Sequence, residues 1–475
     1  MSETLALSAG AAPSEFAEWE ALAAKSLRGA SYETLRSATA DGIPLEPLYP
    51  AATDTEPLFA RGELPWAIVQ PLDQTSPEGA CAQILRDREG GATGFSLRFA
   101  GAPAAGGFGL PFAPTTVSQL AATLPGDIRA LRIEPHPRSD QLVRWARSLI
   151  AEDGGRNAWA QASLGLDPVG MLAASGIETF SADSALAAAS ELRACGFAGP
   201  AFEADGRVWH EAGATEAQEL AAIMGAAAHY LRLSERAGQD IGTAFDTIGL
   251  TVAVDADQFL GIAKLRALRL LWARLQEACG AASAPCRIHA ETSRRMAAAA
   301  DPHTNLLRAT IAAFAAGVGG ADSVTVLPFT AGLGLPERFA RRLARNTQHL
   351  LVEEAHVGVA ADPGAGSGAV EALTDALAER AWAEFQVIEA EGGIVASLRA
   401  GAIRSRIAQS AGHLRRRLRS GELPIVGVTC YPDPAPMQAP LEAAAPAPPE
   451  PGAQPNADPL LPVRLEAWAA EDTRS

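Results

Sequence analysis

Between residues 66 and 330, short β-prone runs alternate with long Ala/Leu-rich stretches of helical period, and this alternation limits the possible folds most. The β-prone runs are WAIVQ (66–70), ATGFSLRF (92–99), IRALRI (128–133), ASLGL (162–166), IETFSA (177–182), FAGPAF (197–202), CRIHAE (286–291) and DSVTVLPF (322–329). Between them lie patterns such as TEAQELAAIMGAAAHYLRLSERAG and DADQFLGIAKLRALRLLWARLQEACG. Strands separated by helix-length crossovers pair in parallel, which predicts an α/β architecture. Eight such runs over about 260 residues match a (β/α)8 TIM barrel. A doubly wound sheet is the competing arrangement, but no GxGxxG follows any of these strands at a helix start, so its dinucleotide-binding version loses support.

The flanks have a different texture. Residues 1–65 read as an N-terminal arm. Ser14 is placed to cap a helix carrying Phe16, Trp19, Leu22 and Leu27 on one side, and prolines 44, 47 and 50 then mark an extended connector. The barrel is assigned to 66–395, including an amphipathic helix with Val370, Leu373, Leu377, Ala381, Phe385 and Ile388 at three- and four-residue steps. A further helix and connector occupy 396–430. The remainder, 431–475, is Pro/Ala-rich and predicts a linker or disordered tail, with a short amphipathic ending that can dock. The Gly-rich stretch DPGAGSGAVE (362–371) holds no Lys or Arg and is not followed by GK[ST], so it reads as a connector rather than a phosphate loop.

A formal net charge of −16 argues against nucleic acid and acidic membranes as partners. Five cysteines (Cys81, Cys195, Cys279, Cys286, Cys430) form no CxxC pair, which excludes a disulfide framework or zinc site and points to a reducing cytoplasm. No apolar run reaches the ~18 residues of a membrane span, and the N-terminus lacks the basic and apolar regions of a signal peptide.

Several motifs, in order along residues 15–430, carry a resemblance. They are DGIPLEPLY (41–49), LPW (64–66), EAGA (211–214), AKLRALRLLWARL (263–275), HAETS (289–293), DPHTNLLRATIAAFAAGVGG (301–320), ARNTQ (344–348) and DPGAGSGAVE (362–371). Together they resemble the substrate barrel of the methylmalonyl-CoA mutase family, the adenosylcobalamin-dependent acyl-CoA mutases. That resemblance implies a barrel enclosing an acyl-CoA thioester and a separate cobalamin-binding α/β domain marked by D-x-H-x-x-G. The motif does not occur here, so this chain is expected to bind no cofactor by itself, with adenosylcobalamin held by a partner.

The positions that carry the family's chemistry depart from its pattern. The tyrosine of Y-A-x-R-P-W becomes Arg61, and its arginine Leu64. In Y-H-x-x-E-A-G-A the tyrosine and histidine become Arg207 and Val208. His210 stands two places further on; on a strand it would keep the same face, which leaves a shifted role open beside a structural one. In H-S-Q-T-S the His289 is kept and Glu291 replaces the glutamine that touches the adenosyl group. Ala331 replaces the ribose-binding glutamate. With Arg61, Val208 and Ala331 degenerate, no catalytic residue is assigned; His210, His289 and Glu291 remain candidates on the substrate or cofactor side. The resemblance then implies the small, non-catalytic subunit of a heterodimer with a larger catalytic acyl-CoA mutase chain. The alternative is a substrate-binding barrel served by a separate cobalamin-binding protein.

Overall fold

In the computed structural model, residues 16–53, 55–60, 65–152, 158–282, 284, 286–435, 437–446 and 457–470 are described. Seven parallel strands form one sheet: β1 (Ala67–Leu72), β2 (Gly94–Leu97), β3 (Ala130–Ile133), β4 (Phe202–Asp205), β5 (Ile248–Val254), β6 (Ile288–Thr292) and β7 (Ser323–Thr325). Their spatial order is β3-β2-β1-β7-β6-β5-β4. The two edges, β3 and β4, are joined by residues 162–166. Ser163 bridges to Arg132 on one side, and Leu166 bridges to Phe202 on the other. The Ser163 amide donates to the Leu131 carbonyl at 2.9 Å, and Leu164 donates to Pro200 at 3.0 Å. This eighth segment completes the ring of a TIM-barrel-like fold.

Two features of the ring differ from the sequence expectation. The 177–182 run is not a strand: it leads into helix Ala182–Arg193, whose first turn is capped by Ser181 accepting from Ser184 N at 3.1 Å. Its place is taken by β5, IGLTVAV, with all seven residues buried. A strand covered on both faces is continuously apolar, so its pattern merges with that of the long helices on either side.

Those helices are Glu216–Arg236 and Gln258–Ala278. Thr215 and Gln218 form a capping box at the start of the first, and Asp257 caps the second, accepting from Leu260 N at 3.1 Å. Helix Gly368–Ala390 packs across both and buries Val370, Leu373, Leu377, Ala381, Phe385 and Ile388. The Gly-rich loop before it is held from inside. Arg266, fully buried, pairs with Asp362 and, at 2.6 Å, with Glu371, and the Gly366 amide donates to Glu371 at 3.1 Å.

The N-terminal helix Phe16–Ser26 buries none of its residues. The Pro/Ala-rich tail, by contrast, is partly ordered. Leu441–Ala444 pairs antiparallel with Gly334–Pro336, and residues 457–470 lie across the C-terminal mouth of the barrel. Composition argued for a linker, but the residues between the prolines keep their N–H groups. Those amides find carbonyl partners on the barrel loops, and Leu460 is buried. No helix among the described residues is long and apolar enough to cross a membrane.

Closure at 162–166 rests on Gly165, which has φ +62°; a Cβ there would fall 2.2 Å from the Ile133 carbonyl oxygen. Gly165→Ala is expected to cost at least about 1–3 kcal/mol, because the strained backbone and the clash both act on the joint that closes the ring. Urea unfolding followed by circular dichroism measures it, with Gly126→Ala, where a Cβ meets nothing within 4 Å, as the control.

Candidate functional site

The barrel interior is charged. Arg207, in the short helix Arg207–Glu211 after β4, turns its guanidinium back over the strand ends. It pairs with Asp205 at 2.6 Å, with Glu291 at 3.1 Å and closely with Glu134. Arg98, just past β2, reaches the same Glu291. Arg132 lies 3.3 Å from Glu203 and 3.6 Å from Glu134, and donates to the Thr251 hydroxyl at 2.8 Å. Ser96 donates to Glu134, and Ser163 and Thr251 to Glu203, each at 2.5 Å. Three arginines and four carboxylates from β2, β3, β4, β6 and the flanking turns thus form one connected cluster, with every member buried.

Burial opposes each of these charges, and pairing decides the balance. Burial would raise the Glu134 carboxyl, yet Arg207, Arg132 and Arg98 hold it well below the usual carboxylate range. At Asp205 burial outweighs the contact with Arg207, and its pKa is raised. Arg207 stays charged: burial lowers its pKa, but Asp205, Glu134 and Glu291 together raise it well above normal. All three guanidinium groups are engaged by carboxylates of the same chain.

Above the cluster lies a cavity of about 900 Å³ at the C-terminal mouth, the end where TIM barrels place their active sites. Arg98, Arg207 and Glu291 form part of its floor. Pro462–Arg464, Ala467 and Trp468 of the tail form part of its wall. This strap is fastened along its length. Ala457, Leu460 and Val463 donate backbone hydrogen bonds to Gly176, Ala173 and Glu211 at 2.7–2.9 Å. Glu466 accepts from the amides of Ala299 and, at 3.0 Å, Ala300, while Arg464 donates to the Gly332 carbonyl.

The sequence-derived candidates scatter around this geometry. Val208 and Ala331 line the cavity, as does Glu291, which is neutralised by Arg98 and Arg207. Arg61 and Leu64 lie outside the described residues. His210 is in a helix, not a strand, so a two-residue offset does not keep its face, and it does not line the cavity. Its Nε2 lies 2.8 Å from Ser293 Oγ and its Nδ1 3.3 Å from Glu219, which in turn pairs with Lys264 at 2.8 Å. This serine–histidine–glutamate arrangement is sealed: Ser293 and His210 are both buried, and neither lines the cavity. Burial, aided by Arg295, pushes the His210 pKa down to about 4. His289 is buried within β6 with Nδ1 2.8 Å from Ser323 Oγ; burial and then Arg132 hold its pKa well below normal.

Sequence reasoning missed Arg98, Arg132, Glu134, Glu203 and Asp205, and took Arg207 only as a lost tyrosine. The signal was present: each is a charge within or next to an otherwise apolar strand, where charges occur only when paired. No cluster of His, Cys, Asp or Glu suited to a metal occurs among the described residues.

The methylmalonyl-CoA mutase family model matches residues 200–448, just over half of the chain. The chain belongs to the methylmalonyl-CoA mutase family. The methylmalonyl-CoA mutase small subunit of Streptomyces virginiae is 38% identical over 426 residues, 85% of this chain and 67% of that one. The small subunit of Propionibacterium freudenreichii subsp. shermanii is 40% identical over 275 residues, 57% of this chain and 43% of its own length. The Streptomyces virginiae large subunit is 37% identical over 224 residues, 46% of this chain and 31% of its own. This family member therefore resembles the small-subunit type, and it spans about two thirds or less of the length of these relatives. Among the described residues no histidine lines the mouth cavity, and the strap crosses it.

Two measurements test this electrostatic picture. Arg207→Met leaves three buried carboxylates short of a counter-charge and is expected to destabilise the chain by about 3–5 kcal/mol in urea unfolding. Arg207→Lys recovers only part of that, because an ammonium lacks the guanidinium fork. The second is a pH dependence. Burial pushes the Asp167 carboxyl up to about 8, only partly offset by its hydrogen bond from Tyr230. Unfolded, the group ionises near ~3.9. The unfolded chain therefore releases this proton first, and the contribution of Asp167 to stability is lost as pH rises from about 4 to about 8. Asp167→Asn is expected to flatten that decline relative to the parent chain; parallel slopes across the window would refute it.

Proposed function

We propose that this chain is the small, non-catalytic subunit of a heterodimeric methylmalonyl-CoA mutase-like complex in the cytoplasm. Its partner is a larger acyl-CoA mutase chain that binds adenosylcobalamin and interconverts methylmalonyl-CoA and succinyl-CoA. The carrying observation is the barrel axis. Where a catalytic barrel must admit a thioester, Arg98, Arg132 and Arg207 are locked to Glu134, Glu203, Asp205 and Glu291, and the strap lies across the mouth. Displacing such a cluster would leave buried charges unpaired, which costs several kcal/mol.

The small-subunit names of the relatives and the similarity to a large subunit support a larger partner. So does the N-terminal helix, which leaves Phe16 45% and Leu22 66% exposed. Covering such side chains contributes on the order of 1.5–3 kcal/mol each before the costs of association. Five free cysteines suit a reducing compartment. The second reading, a substrate barrel served by a separate cobalamin-binding protein, is favoured by one observation, the 900 Å³ cavity. It requires the strap to leave.

Tagged chain recovered from its native host is expected to carry a larger mutase chain at equal stoichiometry, with turnover residing in that chain. Deleting residues 1–35 should reduce recovery while the barrel's circular dichroism stays intact. Isolated chain that gave a stoichiometric base-off spectrum with adenosylcobalamin, or turned over methylmalonyl-CoA with a small cobalamin-binding protein, would overturn the subunit reading.

A further inference from the structure

On the outside of the barrel, a cleft of about 280 Å³ opens between helix Pro77–Glu89 and helix Arg338–His349. Five arginines line it: Arg86 from the first helix, and Arg338, Arg341, Arg342 and Arg345 from the second. The four on the second helix fall at i, i+3, i+4 and i+7, which places them on one face. Three carboxylates also line the cleft: Asp87, Glu89 and Glu442. In a chain of formal net charge −16, this is a local excess of positive charge.

The cleft has a fixed base and an open rim. Arg341 is buried and bound to Asp73 at 2.7 Å and to the Pro336 carbonyl at 3.0 Å. Arg345 is 7% exposed and bound to Asp87 at 2.7 Å. Gly90 permits this, since a Cβ there would lie 2.2 Å from the Arg345 guanidinium. Among the described residues, two buried polar atoms in the lining have no partner: Arg345 Nε, a donor, and Gln83 Oε1, an acceptor on a side chain 1% exposed. Around them Arg86, Arg338 and Arg342 are exposed, and among the described residues none forms an ion pair.

We infer that this cleft binds a diphosphate-sized phosphoryl anion. Unpaired guanidinium groups from two helices match the several oxygens of a phosphoryl ligand, which arginine recognises through paired N–H donors. The Arg345 Nε donor adds to that set, and Gln83 Oε1 suits a protonated oxygen or substituent hydroxyl. The volume admits a diphosphate and is below the usual range for enclosing a whole nucleotide. The polar lining offers nothing to an apolar ligand. The inference does not depend on the subunit reading, because no residue lining the cleft lines the mouth cavity.

Isothermal titration of the full chain with inorganic pyrophosphate tests it, with ADP, citrate and sulfate in parallel. Saturable one-to-one binding of pyrophosphate is expected, weakened at least about tenfold by Arg338→Gln with Arg342→Gln and partly retained by the corresponding lysines. ADP binding as tightly as pyrophosphate assigns the ligand to nucleotides; much weaker ADP binding assigns it to free diphosphates. If the double variant fails to fold, Arg86→Gln on the facing helix makes the same test. Absence of saturable binding, equal affinity for citrate or sulfate, or unchanged affinity in folded variants overturns the assignment.

Discussion

Arg207 sets the terms on which this barrel closes. Its guanidinium joins Asp205 of β4, Glu291 of β6 and Glu134 just past β3, so it ties together strand ends contributed from around the ring. Burying an ion is costly, and attraction in the interior offsets that cost only when geometry and additional hydrogen bonds are good. Here the additional bonds come from Ser96, Ser163 and Thr251, small hydroxyl side chains facing inward. The cluster is therefore weak evidence for stability beyond an apolar core, and strong evidence for one specified arrangement of the strands. Its side chains fill the barrel axis beneath the mouth cavity.

The same device recurs on the outer layer. Arg266 fastens the loop at 362–371 through Asp362 and Glu371, and Arg341 and Arg345 fasten helix Arg338–His349 to the barrel through Asp73 and Asp87. Among its buried residues, helix Arg338–His349 has only Ala340 and Ala344 as apolar side chains, small groups that contribute little area each. At the mouth, Arg464 and Glu466 act on backbone groups and hold the strap in place.

Much of the fold was legible because periodicity survives in sequence. The helix from Gly368 to Ala390 buries the same six side chains that its spacing selected. Ser163 and Leu166 lie in a run that composition marked as a strand, and they close the ring. The errors have physical causes. β5 is buried on both faces, so its apolar run had no period of its own. The 177–182 run looked like a strand until Ser181 is seen capping the helix after it. The tail was read from its prolines, although its free amides decide where it lies. Of the site, the departures at Val208 and Ala331 were legible because they interrupt known motifs. The partners of Glu291 were not, because Arg98 and Arg207 are 193 and 84 residues away in the chain.

The sequence by itself determined the alternation of strand and helix and the family, because each depends on residues close together or in a recognisable order. Tertiary structure decided that His210 is sealed against Ser293 and Glu219, that Glu291 is neutralised, and that the strap crosses the barrel mouth. Those outcomes depend on which distant charges and amides meet where water is excluded, and no local pattern encodes that meeting.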